Sequence, residues 1–428
     1  MGHAFARWRN QEPGPAGGKG GRGLKARGEQ SPEPKFGWVM VAMVPLYLGF
    51  AIGSLGAISV FLKPLVAEFH WLRGETTFAY MMGNLMAGGG GLILGHLADR
   101  FSTRRIVLLG ALVMGLAFLA MARMTSLWQF QLLFTMSSGF GAAAFFSPLL
   151  ANVGAWFNHN KGLALGIATA GQALGQGFVP YAASLLIAEQ GWRDAFNAMG
   201  IFALACLLPL ALLIRNPPAA PGMNQGGALE PEVFPVPPRH ALSLLSLAAI
   251  FCCITMSTPL VHVVALASDQ GLSGENSARV LLTIMIAGFF GRIFFGRLTD
   301  WIGGLRAYMT ASLWQTSLVF WFTQVSTPGG FYLVAALFGF GFAGVMTCLI
   351  ICAQGSAPAA KSGFATALVA MFGFLGMGIG GFQAGFFYDL TGGYTLSYAN
   401  AVFTGIVNLT ILSALAFYRS RNQPRLAA

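Results

Sequence analysis

The chain alternates long apolar runs with short polar turns. Runs of about 20 apolar residues can cross a hydrocarbon core of roughly 30 Å as helices. Twelve such runs fit, near 37–62, 76–98, 105–123, 127–149, 162–188, 194–214, 242–267, 277–300, 306–325, 329–352, 362–387 and 395–418. Lipid offers no partner to the backbone groups of an open strand, so helix is the reading that satisfies every N–H and C=O. The expected fold is an all-α membrane protein of twelve transmembrane helices in two six-helix halves, 37–214 and 242–418. The Pro-rich stretch 215–241 is the only long internal loop and reads as a linker. Residues 1–36, rich in Gly, Pro, Lys and Arg, read as a disordered tail, and 419–428 as a short second tail.

Composition strengthens this pattern. Apolar residues make up 55% of the chain and charged residues 9%, too few charges to cover a soluble protein of this length. The 57 glycines would weaken soluble helices but let membrane helices approach closely. All five cysteines fall inside apolar runs, so neither a disulfide framework nor a metal site is expected. No motif for a cofactor is present, and no stretch resembles a phosphate-cradling loop or is long enough to be an ATPase. Movement of a solute would therefore draw on a gradient.

The net charge of +11 is explained by topology. With the first turn of the chain inside, inner loops and tails hold 19 Lys/Arg and outer loops five: Lys63, Arg73, Arg123, Arg193 and Arg279. This is the positive-inside distribution. It places both termini in the cytoplasm and gives no support for nucleic-acid binding.

The halves repeat. Gly95, Leu97, Asp99, Arg100, Arg104 and Arg105 follow the second run; Gly296, Leu298, Asp300 and Arg306 follow the eighth, 201 residues later. Duplicated halves around a central site suit alternating access. The segment 95–105 resembles the loop signature of the major facilitator superfamily. That resemblance implies a cytoplasmic network of Asp99, Arg100, Arg104, Arg105, Asp300 and Arg306 that holds one state closed. The first copy departs from the signature in having Ser102 where glycine is usual.

Within the superfamily the chain is most similar to bacterial relatives of the monocarboxylate transporters. The segments carrying this are Phe36-Gly37-Trp38, Lys63-Pro64 with Glu68-Phe69, Trp156-Phe157, Gly191-Trp192-Arg193-Asp194, His262 with Asp269 and Gly271, and Gly291-Arg292 with Gly296. The oxalate/formate exchangers share much of this pattern. The resemblance implies a secondary transporter of small monocarboxylates, of the lactate or pyruvate kind, moving them by proton symport in the plasma (inner) membrane. Its partners would be a small organic anion, protons and the lipid bilayer, with the single chain as working unit. No catalytic constellation is visible, and no enzyme activity is expected.

Arg292 is the most informative residue. It lies about 12 Å of helix before the loop at Asp300, near the bilayer middle, where a charge costs roughly 2.5–3.5 kcal/mol on insertion scales. Its guanidinium fork suits a carboxylate, although a structural ion pair with a neighbouring helix would also explain it. The exchangers carry a further basic residue near the position of Met371 here, and one buried cation suits one carboxylate. The resemblance pairs Asp269 with Arg292 for proton coupling. His262, two turns before Asp269 on the same helix face, is either a ligand or a packing imidazole. Gln172 could contact substrate or join helices. Tyr47, Phe145, Phe146 and Phe372 are expected to line an apolar pocket. Phe146 stands where tyrosine is expected in many bacterial relatives, which removes a hydroxyl. An exchanger without proton coupling and a proton-driven drug exporter are the competing readings.

Overall fold

The computed structural model describes residues 35–157, 161–216, 238–356 and 362–422. The expected tail and linker fall almost wholly outside these residues. Among the described residues the chain forms twelve helical rods and no strand. They are α1 (Lys35–Phe69), α2 (Arg73–Phe101), α3 (Thr103–Met121), α4 (Leu127–Trp156), α5 (Lys161–Gln190) and α6 (Trp192–Ala211). Then follow α7 (Pro238–Asp269), α8 (Gly274–Ile302), α9 (Gly304–Val319), α10 (Pro328–Gly355), α11 (Ser362–Thr391) and α12 (Thr395–Asn422). Nine of the described helices are long and apolar enough to cross a membrane by length and composition alone. The 16-residue α9 is too short to be among them, and neither α2 nor α5 is. Both are rich in glycine and polar residues, and both press against the opposite half.

Glycine decides how closely the rods approach. In the first half α1 lies on α5 through Gly49, Gly53, Gly171 and Gly175; a Cβ on Gly175 would collide with the Gly49 carbonyl. α11 carries two glycine stripes. Gly376 and Gly380 seat it on α7 within its own half, where a Cβ at Gly380 would lie 2.6 Å from the Ile254 carbonyl oxygen. Gly378, Gly381 and Gly385 seat it on α2 of the other half, against Met81, Tyr80 and Thr77.

The halves meet over only part of their length. The end bearing the α1–α2, α7–α8 and α11–α12 turns, here the clasp end, is closed by α2 on α11 and α5 on α8. Moving away from it, the last glycine of α2 that faces α11 is Gly88, where a Cβ would lie 3.0 Å from the Phe374 Cβ and 3.5 Å from the Met371 carbonyl oxygen. Beyond this level Gly91 and Gly95 face only Ser147 of their own half, and Gly166 of α5 has nothing within 4 Å. Among the described residues these glycine contacts between the halves thus stop short of the signature end, which carries the α2–α3 and α8–α9 turns.

Those two turns are built alike. Gly303 has φ +84° between α8 and α9, and Ser102 has φ +108° between α2 and α3. The departure in the first signature copy thus puts a serine where the chain demands a conformation natural to glycine.

Candidate functional site

Helical rise places several half-buried side chains at one depth. Arg292 lies about 27 Å along α8 from its clasp-end terminus and is half-buried. Phe146 on α4, Gln172 on α5 and Phe372 and Phe374 on α11 fall roughly 25–28 Å from the same end of their helices. All four are half-buried. Phe146 meets Phe374 edge-on across the two halves, with ring centroids 6.1 Å apart at 88°. On α5, Gly171 and Gly175 face α1, Gly177 faces α8, and Leu174 and Phe178 are exposed. The helical period then turns Gln172 and Gln176 to the interior side. Neither amide has a hydrogen-bond partner among the described residues.

Arg292 stands alone in the same sense. Among the described residues no carboxylate or carbonyl reaches its guanidinium. Seven residues earlier on the same face, Met285 packs at Gly177 of α5, where the halves still touch. Arg292 sits about 10 Å beyond that contact along α8, at the depth where Phe146 meets Phe374. The position 201 residues earlier is Gly91, so the two halves present a cation on one wall and bare backbone on the other. An unpaired guanidinium offers two parallel N–H donors, a geometry that suits an anion with two acceptor oxygens.

Tyr47 does not belong to this layer. It is fully buried inside the first half, its hydroxyl donating to the Leu207 carbonyl at 2.7 Å and its ring edge-on to Phe145. That hydrogen bond ties α1 to α6, so the expectation that Tyr47 lines the pocket does not match its position.

Asp269 and His262 belong to the clasp end. Asp269 accepts from Arg73 Nη1 at 2.8 Å and Nη2 at 3.2 Å, and pairs with Lys63 Nζ at 2.9 Å. Both cations come from the first half. The Asp269–Arg292 pair implied by the resemblance is not formed here, because the two residues sit at different depths. Arg73 also stacks over the Tyr388 ring at 3.8 Å and donates to the Tyr394 hydroxyl at 2.6 Å. His262 is fully buried between Tyr394 (Nδ1, 3.0 Å) and the Gly381 carbonyl (Nε2, 2.8 Å). A carbonyl only accepts, so Nε2 carries the proton and Nδ1 accepts from Tyr394. Burial pushes the Tyr394 phenol up, which keeps that donor O–H in place. The chain Arg73 to Tyr394 to His262 to Gly381 is complete, leaving the imidazole no donor for a solute.

The residues of the expected gating network lie at the signature end, around the α2–α3 and α8–α9 turns. Arg100, Arg104, Arg105, Asp300 and Arg306 are all exposed. Asp300 lies 4.0 Å from Arg297 of its own helix, and the Asp99 side chain is outside the described residues. At the clasp end Lys63, Arg73, Gly74 and Tyr181 of the first half meet Ser268, Asp269, Asp389 and Glu275 of the second. The five cysteines form no disulfide.

A bundle of two such halves, joined at the clasp end and sharing a layer of polar and aromatic side chains, is the architecture of an alternating-access transporter. The chain matches the Major Facilitator Superfamily over residues 39–381 and belongs to that family, one of membrane transporters rather than enzymes. It is 28% identical over 333 residues to monocarboxylate transporter 4 of Mus musculus, covering 74% of this chain and 69% of that protein. It is 27% identical to monocarboxylate transporter 11 of Homo sapiens, covering 86% and 80%. A bacterial homologue of the human lysosomal transporter Spinster, solved in an inward-facing, unoccupied conformation, superposes with TM-score 0.71 at 15% identity over 92% of this chain and 100% of that one. That likeness concerns the fold.

Proposed function

We propose that this protein carries small monocarboxylates across the membrane by proton symport, with Arg292 as the group that binds the carboxylate. The observation carrying this reading is the solitary guanidinium at mid-depth, in an interior layer with two unpartnered amides. A cation held there at a cost of roughly 2.5–3.5 kcal/mol needs an anion, and within the described residues none is supplied. Similarity to proteins named monocarboxylate transporters agrees with a single carboxylate as the anion. Phe146, Phe372 and Phe374 supply the apolar wall for the remainder of the solute, and Gln172 and Gln176 supply hydrogen bonds.

With both termini cytoplasmic and the chain in the plasma (inner) membrane, the signature end faces the cytoplasm and the clasp faces outward. Asp269 is the proton site in this reading. Protonating it would remove the charge that holds Lys63 and Arg73, which frees the clasp end to open. A monoanion moving with one proton is electroneutral, so the membrane potential would not oppose uptake. One observation favours an exchanger instead: Asp269 is already neutralised by two cations and does not reach Arg292. Exchange would tolerate Asp269→Asn; symport would not.

The test is uptake of labelled lactate, pyruvate and acetate into proteoliposomes, with and without an inward proton gradient. Gradient-stimulated uptake lost in Arg292→Ala and Asp269→Asn is the expected result. Uptake that ignores the gradient but needs internal anion would replace symport by exchange. Absence of uptake for all three acids would remove the substrate assignment.

A further inference from the structure

The first turn of α2 lacks a cap of its own. Its N-cap residue is Leu72, which has no side-chain acceptor. Glu75 reaches back to the Leu72 N–H at 3.2 Å, but the N–H groups of Arg73 and Gly74 still need acceptors. Asp389, in the last turn of α11 in the opposite half, provides both. Its Oδ1 accepts from Arg73 N–H at 2.9 Å and its Oδ2 from Gly74 N–H at 2.6 Å.

Asp389 is badly placed for its own helix. A carboxylate in a last turn faces the negative end of the helix dipole, whereas at a first turn it is stabilising. Here the charge is spent on another helix. The backbones are cut to allow it. A Cβ at Gly74 would lie 2.9 Å from Asp389 Oδ2 and 3.1 Å from the Phe386 nitrogen, and a Cβ at Gly385 would lie 2.9 Å from the Arg73 carbonyl oxygen.

The related position in the other half is used differently. Two hundred residues before Asp389 is Glu189, at the end of α5, and it is exposed with no partner among the described residues. The helix it would serve, α8, is capped by its own Ser273, which accepts from Asn276 N–H at 3.3 Å.

We propose that Asp389 is a positioning residue for transport: by capping α2 from α11 it locks the clasp end shut. The same contact aims Arg73. Holding the Arg73 backbone fixes the root of the side chain that spans Tyr388, Tyr394 and Asp269. The carboxylate therefore stabilises the closed clasp twice, through the helix end and through the guanidinium it orients. Both contributions exist only while the halves touch, so the contact must break and re-form in every cycle. Nothing in this role depends on which solute is carried.

Spin labels at Leu72→Cys and Leu390→Cys report the gap between α2 and α11 directly, since both side chains are exposed. A Cys206→Ser background suffices, because the other four cysteines are buried. The wild type should give mainly the short distance. Asp389→Asn, which keeps the shape but removes the charge and one of the two acceptor oxygens, should raise the open-to-closed ratio roughly two- to fivefold, the range expected for a charge lost at a helix N-terminus. Gly74→Ala, which displaces Oδ2 from the other side, should do the same, and serves alone if Asp389→Asn does not elute as folded protein. Glu189→Gln should leave the distribution unchanged. Wild-type distributions in both Asp389→Asn and Gly74→Ala, or an equal shift in Glu189→Gln, would overturn the proposal.

Discussion

The two ends of this molecule carry opposite solutions to the same problem. At the clasp end the second half offers Asp269 and Asp389, and the first half answers with Lys63, Arg73 and the start of α2. At the signature end Arg100, Arg104, Arg105 and Arg306 stand exposed, and Asp300 is two-thirds exposed beside Arg297. Charge is abundant at both ends, and among the described residues the ion pairs that join the halves, Lys63 and Arg73 with Asp269, are at the clasp end. The difference teaches that charge alone does not join two halves; in this state opposed partners do so at the clasp end. The central layer with Arg292 lies at the depth where Phe146 and Phe374 meet across the halves.

The comparison can be broken most strongly at Arg73. Arg73→Ala removes the fork to Asp269, the stack on Tyr388 and the bond to Tyr394 together. Breaking a buried pair by removing one partner typically costs about 3–5 kcal/mol. Arg73 is nearly buried, but Asp269 keeps Lys63, so the lower part of that range applies. A shift of about a hundredfold toward an open clasp is expected, read from the distance between labels at positions 72 and 390.

A second break tests whether glycine sets the approach. Gly381→Ala would place a Cβ 2.6 Å from the Tyr80 ring at the clasp end, whereas Gly166→Ala meets nothing within 4 Å. The first should lower thermal stability by about 1–3 kcal/mol; the second should be neutral or slightly stabilising. Equal melting temperatures for the two variants would contradict the asymmetry.

Lys63→Ala sharpens the picture more gently. Its side chain is 38% exposed, so solvent screens the pair and about 1 kcal/mol or less is expected. The open-to-closed ratio should rise no more than about fivefold, well below the effect at Arg73. Smallest is Ser102→Gly at the signature end, which relieves a positive φ at a non-glycine residue. It should raise stability by about 1 kcal/mol in a melting experiment, without altering the clasp distance.

Much of the fold is legible in the apolar pattern, because twelve runs of spanning length leave few alternatives. The observed helices extend beyond the runs where charged residues continue them, as α1 does through Lys63 to Phe69. The depth of Arg292 is legible too, since it follows from counting along one helix. The clasp is not. Arg73 reads as one more outer-loop charge, and its four partners lie at 269, 388, 389 and 394, which no local period connects. Tyr47 misleads for the same reason: an aromatic at cavity depth is equally suited to reach Leu207 inside its own half. Asp389 did leave a trace, an acid in a last helical turn, opposite a helix start with leucine as its cap. That pair of local misfits is resolved only when the two helices are brought together.

The most direct measurement is calorimetric titration of purified protein with lactate and pyruvate, comparing wild type with Arg292→Gln. Saturable binding by the wild type, weakened at least about a hundredfold in Arg292→Gln as expected for loss of a buried charged partner, is the result expected of a carboxylate receptor. Equal affinity in the two proteins would contradict the assignment of Arg292 as the anion-binding group.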